Sequence, residues 1–333
     1  MSKKLMADDW YRSTVWTDDP AADVDGYVAR LGKLAPTSYD LADKLSRWRD
    51  QGYVVFERAL TIEQVDAADR DIGEVLARHR DYQVAVDGDE RISSRYKTLD
   101  QVDEETLATA QVKLVGMHEV SKAVAALTCP PVATDFLRHV FGSRPALLQT
   151  LAFQRGSQQP IHQDFPYVHY QADLAKLAAF WIPLEDIHAD SGPLQYWPGS
   201  HRPASLGFFD WGDGAINQFD RNANKQAFSD YESFLNRRVT ELGIAPQTFL
   251  PRRGDVLVWH GALAHGGSPI RDANRTRRSV VGHFTTTDSH PALARRKIEE
   301  GIIFGGATAD RVEAYRKSRR AGLKARLRRL LGR

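Results

Sequence analysis

Cysteine is almost missing from this sequence. Of 333 residues only Cys129 carries a thiol, so no internal disulfide and no cysteine-rich zinc site can form. A reducing, cytoplasmic compartment is the expected setting. Long apolar runs are missing too. No stretch approaches the ~18 consecutive apolar residues that a membrane span needs. The first residues, from Met1 to Asp9, place two lysines ahead of acidic residues with no apolar run behind them, which does not read as a secretory signal. No internal repeat is visible, and the only biased tract is the basic C-terminal end. With 42% hydrophobic and 26% charged residues the composition excludes full-length disorder. A chain of this length can bury a large core without covalent staples.

The net charge of +2 hides an uneven distribution. From Tyr315 to Arg333 there are nine Lys/Arg and no acid, which leaves −7 for the rest. Leu323, Leu327, Leu330 and Leu331 would form one apolar stripe among those arginines if the tail is helical. Such a helix can pack on its own domain, remain solvated, or lie on an anionic membrane surface. Packing or solvation is the favoured reading, with peripheral membrane-surface contact second. No specific nucleic-acid binding is expected, because no basic–aromatic interleaving accompanies the charge.

Residues 1–36 show no sustained period and read as an extended arm or irregular cover. Ser38-Tyr39-Asp40 can cap a helix through about Asp50, with Leu41, Leu45 and Trp48 on one face. Gly52 ends it, and Tyr53-Val54-Val55-Phe56 reads as a strand. Thr61-Ile62-Glu63-Gln64 opens a second helix to about His79. Asp81–Gln101 reads as polar loop, and two further helical patterns cover His118–Leu127 and Val132–Phe141. From Ala146 the texture changes to short apolar runs bounded by Gly, Pro and Asp. These are Leu147–Phe153, Ala178–Leu184, Leu194–Trp197, Asp255–Trp259 and Ser279–Thr286, a spacing that predicts an antiparallel sandwich or barrel. The long segment Pro203–Thr248, with Phe208, Phe209 and Trp211, reads as a lid or binding insertion.

Four features in the β-rich half carry chemistry. Ile161-His162-Gln163-Asp164 is a His-x-Asp triplet, and residues two apart in an extended chain face the same way. His265, in His260-Gly261-Ala262-Leu263-Ala264-His265-Gly266-Gly267-Ser268, follows about a hundred residues later. Two imidazoles and one carboxylate form the facial set that suits non-haem Fe(II), with open positions for other ligands. Asn274-Arg275-Thr276-Arg277-Arg278-Ser279 precedes an apolar strand. A buried arginine there can grip a carboxylate at two points, with a serine hydroxyl beside it. The fourth feature is Ser191-Gly192-Pro193-Leu194 running to Pro198-Gly199-Ser200-His201, a turn, a strand and a second turn. His260 competes with His265, and Arg275 and Arg278 compete with Arg277. Strand alternation puts Arg277 and Ser279 on one face and Arg275 in the turn.

This ordered set, with the Gly52-Tyr53-Val54-Val55-Phe56 segment and the Pro-Gly-Ser-His turn, resembles the phytanoyl-CoA dioxygenase family of Fe(II)- and 2-oxoglutarate-dependent oxygenases. The resemblance spans roughly Gly52 to Phe284. It implies a mainly β fold with α, a double-stranded β-helix (jelly roll, cupin-like) buttressed by N-terminal helices. The implied organisation is an arm (1–36), a dioxygenase domain (37–310) and a basic tail (311–333). Within the domain, helical support (37–145) precedes a jelly roll (146–290) that carries the lid insertion (203–248). His162, Asp164 and His265 would hold iron, since the family places its distal histidine before a Gly-rich turn about a dozen residues ahead of the arginine. Arg277 would hold the distal carboxylate of 2-oxoglutarate with Ser279 nearby, and Gln149 and Trp181 would line the cosubstrate site. O2 is the second cosubstrate. Related halogenases carry a small residue at the carboxylate position, so Asp164 implies hydroxylation of a small-molecule substrate with release of succinate and CO2. The alternative is a cupin-like metal protein that does not use 2-oxoglutarate. Residues 81–117 and 203–248 are the expected surface for substrate choice. Phe165, Tyr167, His169 and Tyr170 are candidates for pocket lining or packing, and His201 for fixing its turn.

Overall fold

Helices form where caps and apolar spacing agree. In α1 (Val24–Leu31) the Asp23 carboxylate accepts from the amide of Gly26, and in α2 (Leu41–Gln51) Asp40 does the same for Asp43. The helix α3 (Ile62–Ala77) carries the full capping box of Thr61 and Gln64. Short helices α4 (Glu90–Ser93), α5 (Glu104–Thr109) and α6 (Lys122–Leu127) lead to α7 (Pro131–Phe141). The computed structural model describes residues 15–36, 38–168, 176–202, 206, 225–286, 288–289, 298–299 and 302–304. The basic tail, His169, Tyr170, Phe208, Phe209 and Trp211 lie outside the described residues. Among the described residues no helix is long and apolar enough to cross a membrane.

The described residues hold twelve strands, numbered in chain order. They are β1 (Tyr53–Phe56), β2 (Ala85–Gly88), β3 (Val112–Val115), β4 (Pro145–Phe153), β5 (Ala178–Pro183), β6 (Leu194–Tyr196), β7 (Gln247–Phe249), β8 (Val256–His260), β9 (His265–Gly267), β10 (Ser279–Thr286), β11 (Ile298–Glu299) and β12 (Ile302–Phe304). The larger sheet runs β1-β8-β5-β10-β4-β12-β11, with β3 also on β4 and β2 on β3; the smaller runs β7-β6-β9. All pairings are antiparallel except β12 on β4. This is a jelly roll with helices packed on one face.

Side-chain alternation dresses the larger sheet. Val54, Phe56, Val256, Val258, Phe180, Ile182, Val280 and Phe284 pack outward against the helical layer, in one core with Leu45, Trp48, Ile72 and Phe136. Tyr53, Leu257, Trp259, Ala179, Trp181, Val281 and Phe153 face inward and meet Leu194, Tyr196 and Phe249 of the smaller sheet. Each strand therefore has a structural face and an interior face, and chemistry is confined to the second.

Several elements depart from the expectations. Residues 15–36 are not irregular: α1 is helical, Val15 and Val24 are buried, and the Trp16 indole donates to the carbonyl of His139 at 2.8 Å. The presumed polar loop 81–101 holds β2 and α4. Its strand is a short polar edge whose pairing with β3 is its main support, so apolar alternation could not reveal it. The long insertion contains a 17-residue helix, α8 (Lys225–Glu241), and ends in β7, a strand of the smaller sheet. β9 escaped because His-Gly-Gly carries no strand propensity.

Gly52 joins α2 to β1 with φ of +79°, and a Cβ there would lie 2.5 Å from the ring of buried His201. Gly52→Ala is expected to lower stability by about 2 kcal/mol or more, from the left-handed backbone and the collision together. The loss should be smaller in a His201→Ala background, as measured by urea denaturation.

Candidate metal centre

The site is built on a backbone pairing. His162 and His265 form an isolated antiparallel bridge in which each amide donates to the other's carbonyl, at 2.8 and 2.9 Å. Residues opposed in this way put their side chains on one face of the sheet as neighbours. The two rings lie 4.2 Å apart between centroids. The bridge adds the 157–162 segment to the edge of β9, and β9 pairs with β6 on its other side. A side chain at 267 would meet the amide of Gln158 at 2.7 Å, so this close passage requires Gly267. Two residues beyond His162, the amide of Asp164 donates to the carbonyl of Gly261 at 2.9 Å, which turns the carboxylate back toward both rings. One ligand atom from each of His162, Asp164 and His265 lies within 4.8 Å of the others, and all three residues are buried.

Hydrogen bonds prepare each group for a cation. His162 Nδ1 bonds to the carbonyl of Pro160 at 2.7 Å and His265 Nδ1 to that of Leu263 at 2.9 Å. A carbonyl only accepts, so the proton sits on Nδ1 in both neutral rings and Nε2 offers its lone pair inward. Asp164 Oδ2 accepts from the indole of Trp259 at 2.7 Å. Its Oδ1 lies 3.4 Å from His265 Nε2 and 3.4 Å from His283 Nε2. Burial opposes the carboxylate's charge, but His265 and His283 hold its pKa well below the usual range. Burial, reinforced by His265, pushes His162 down to about 3. Burial would lower His265 as well, yet the Asp164 carboxylate outweighs it and holds His265 above its ordinary value.

Arg277 is the inward member of its cluster. It is 2% exposed, with Phe153 and Trp181 rings each 5.6 Å from its guanidinium carbon. Among the described residues its Nε has no hydrogen-bond partner, and burial pushes its pKa down to about 10 with no carboxylate opposing the shift. The buried Ser279 hydroxyl on the same face is likewise unpartnered. The rival arginines point elsewhere: Arg275 pairs with Asp272, and Arg278 with Asp69 and Glu185. His260 has the parity of Val256 and Val258, so it faces the helical layer. Its ring lies 5.7 Å from that of Trp48, and its Nε2 lies 3.5 Å from Asp18. Gln149 is inside the barrel, with its amide 3.2 Å from His283 Nδ1.

Sequence reasoning missed His283 and Trp259, the two side chains that hold Asp164. Alternation from Ser279 along β10 puts position 283 on the interior face, so His283 could have been found by counting. The role of Trp259 depends on a partner 95 residues away and leaves no local sign.

A divalent metal held here must displace the His265 proton, whereas His162 is already neutral. Metal affinity is therefore expected to rise with pH up to the raised His265 pKa and flatten above it. Calorimetry in buffers of different ionisation enthalpy should find about one proton released per metal below that point, and Asp164→Ala should abolish this signature.

Relatives share this arrangement of chain. The profile of the phytanoyl-CoA dioxygenase family (PhyH) matches residues 48–279. A Danio rerio protein, phytanoyl-CoA dioxygenase domain-containing protein 1, is 23% identical over 265 residues, covering 69% of this chain and 86% of that protein. Among solved structures, the non-haem α-ketoglutarate-dependent epimerase SnoN of nogalamycin biosynthesis superposes with a TM-score of 0.54 at 18% identity, over 74% of this chain and 83% of its own. The carbocyclase SnoK of the same biosynthesis gives 0.53 at 15% identity, with the same coverage. These two likenesses establish the fold. With the family profile spanning well over half of its length, the chain belongs to the phytanoyl-CoA dioxygenase family.

Proposed function

We propose that this protein is an Fe(II)- and 2-oxoglutarate-dependent dioxygenase that hydroxylates an unactivated C–H bond of a small or medium-sized metabolite, releasing succinate and CO2. The observation that carries this reading is the His162–Asp164–His265 cluster together with the buried Arg277, which sits among the interior-facing Phe153 and Trp181 and whose Nε has no partner among the described residues. An uncompensated buried charge costs several kcal/mol, and a dicarboxylate cosubstrate supplies the missing anion. The donor set fits the metal: two imidazole nitrogens and one carboxylate oxygen leave open positions for a chelating 2-oxo acid and O2. When bound, iron would supply O2 activation and C–H cleavage, with 2-oxoglutarate as reductant.

The chain's own residues do the rest. Arg277 and Ser279 bind the distal carboxylate of the cosubstrate. Phe153 and Trp181 keep water from that ion pair, which strengthens it. Gln149 and His283 border the same interior face. Trp259 fixes one Asp164 oxygen so that the other stays turned toward the histidines. A cavity of about 680 Å³, lined by Lys113, Phe153, Pro160, Tyr167, Phe228 and Glu232 among others, reaches toward the cluster through Pro160 and Tyr167, the neighbours of His162, rather than through the ligands themselves. That volume suits a metabolite rather than a polymer. Asp164 fills the position that a halide would need, in keeping with hydroxylation.

Adding 2-oxoglutarate to anaerobic Fe(II) protein is expected to give a visible charge-transfer band. Aerobic turnover is expected to yield succinate and a product heavier by one oxygen, both abolished by Asp164→Ala. Metal binding with no such band would sink the reading in favour of a cupin-like metal protein. A second outcome separates function from stability. Arg277→Met is expected to leave the metal-free protein as stable or more stable in thermal unfolding, because it removes a buried unpaired cation. Its 2-oxoglutarate affinity should fall on the order of 100-fold.

A further inference from the structure

The helix α8 touches the ligand segment at two points. Tyr231, 1% exposed, donates its hydroxyl to Gln163 Oε1, and Gln163 Nε2 donates to the carbonyl of Ala262. Gln163 lies between His162 and Asp164, and Ala262 lies in the turn that leads to His265. One chain of hydrogen bonds therefore ties α8 to both segments that carry the cluster. Three residues earlier on α8, Phe228 stacks on Tyr167 at 4.9 Å, and Tyr167 meets the His162 ring edge-on at 5.4 Å. Phe228, Ser229 and Glu232 of this helix also wall the cavity. One turn beyond Tyr231, Leu235 is fully buried and packs with Ile161, Leu206 and Ala264.

Resting on the reading of a metal-dependent enzyme, we propose that Tyr231 is a positioning residue that fixes metal-site geometry through its hydrogen bond to the Gln163 amide. Gln163 is buried, and both ends of its amide are engaged. Removing the Tyr231 hydroxyl leaves Oε1 unsatisfied and lets the amide turn, which loosens the backbone between two ligands. The same helix walls the cavity, so a molecule bound there bears on the ligands through Gln163 without touching them.

The test is Co(II) titration of the metal-free protein, followed by its visible spectrum. Tyr231→Phe keeps the ring and its packing. It is expected to raise the Co(II) Kd about 10-fold and to shift the Co(II) bands. Leu235→Ala removes apolar packing of α8 but leaves the Tyr231–Gln163 hydrogen bond in place, and should change the Kd by less than about twofold. In a Gln163→Ala background, Tyr231→Phe should add nothing further. Wild-type affinity and spectrum in Tyr231→Phe would overturn the proposal, as would an equal loss in Leu235→Ala. Wild-type protein that binds Co(II) but not 2-oxoglutarate would overturn the oxygenase reading alone. Wild-type protein that binds no Co(II) would overturn both.

Discussion

The reciprocal hydrogen bonds between His162 and His265 are the constraint on which the rest of the site depends. They make one residue pair serve two purposes, closing the edge of the smaller sheet and bringing two imidazoles onto one face. Because the pairing is between backbones, ring placement follows from register. A slip of one residue in either segment would turn its histidine to the opposite face and part the pair. Asp164 then needs only a short turn to complete the set, and its orientation is secured from the larger sheet by Trp259 and His283. The cluster is thus held from both sheets of the jelly roll, with its Nε2 atoms turned inward because backbone carbonyls accept from Nδ1.

Arg277 shows the opposite economy. Its neighbour Arg278, half-buried, finds its counterions within the chain in Asp69 and Glu185. Arg277 is surrounded by aromatic rings that exclude water and offer only their π faces. The fold holds a charge at a cost in stability, and the large hydrophobic interface between helical layer and sheet is what makes that cost bearable. Stability resides on the outward face of each strand, and reactivity on the inward face.

Much of this was legible in the sequence where period and chemistry coincide. Ser279–Thr286 reads as a strand with the limits the structure gives it, because eight residues without proline pack on both faces. Parity along β10 separates Arg277 from Arg278, and parity along β8 turns His260 toward the helices. Legibility fails where an element's support is non-local. β2 and β3 are four-residue strands, too short to show a clear period, that exist because each pairs with a neighbouring strand, and β9 is a strand only because the 157–162 segment and β6 flank it. The helix α8 was hidden in an insertion read as a lid, and neither Tyr231 nor Gln163 announces its role by residue type. His283 was within reach of simple counting, whereas Trp259 was recognisable only once Asp164 had been placed beside it.

The pairing of β1 with β8, Tyr53 against Trp259, also bears on how the centre comes into being. Closing contacts between residues so far apart along the chain is slow, because loop entropy is spent before any reward arrives. The ligands themselves, about a hundred residues apart, meet through another long-range closure of the same kind. An ion therefore cannot nucleate this protein as zinc nucleates a finger. The apoprotein is expected to assemble first and to receive an ion last, so that the supply of metal would govern loading of the cradle without governing whether the chain folds.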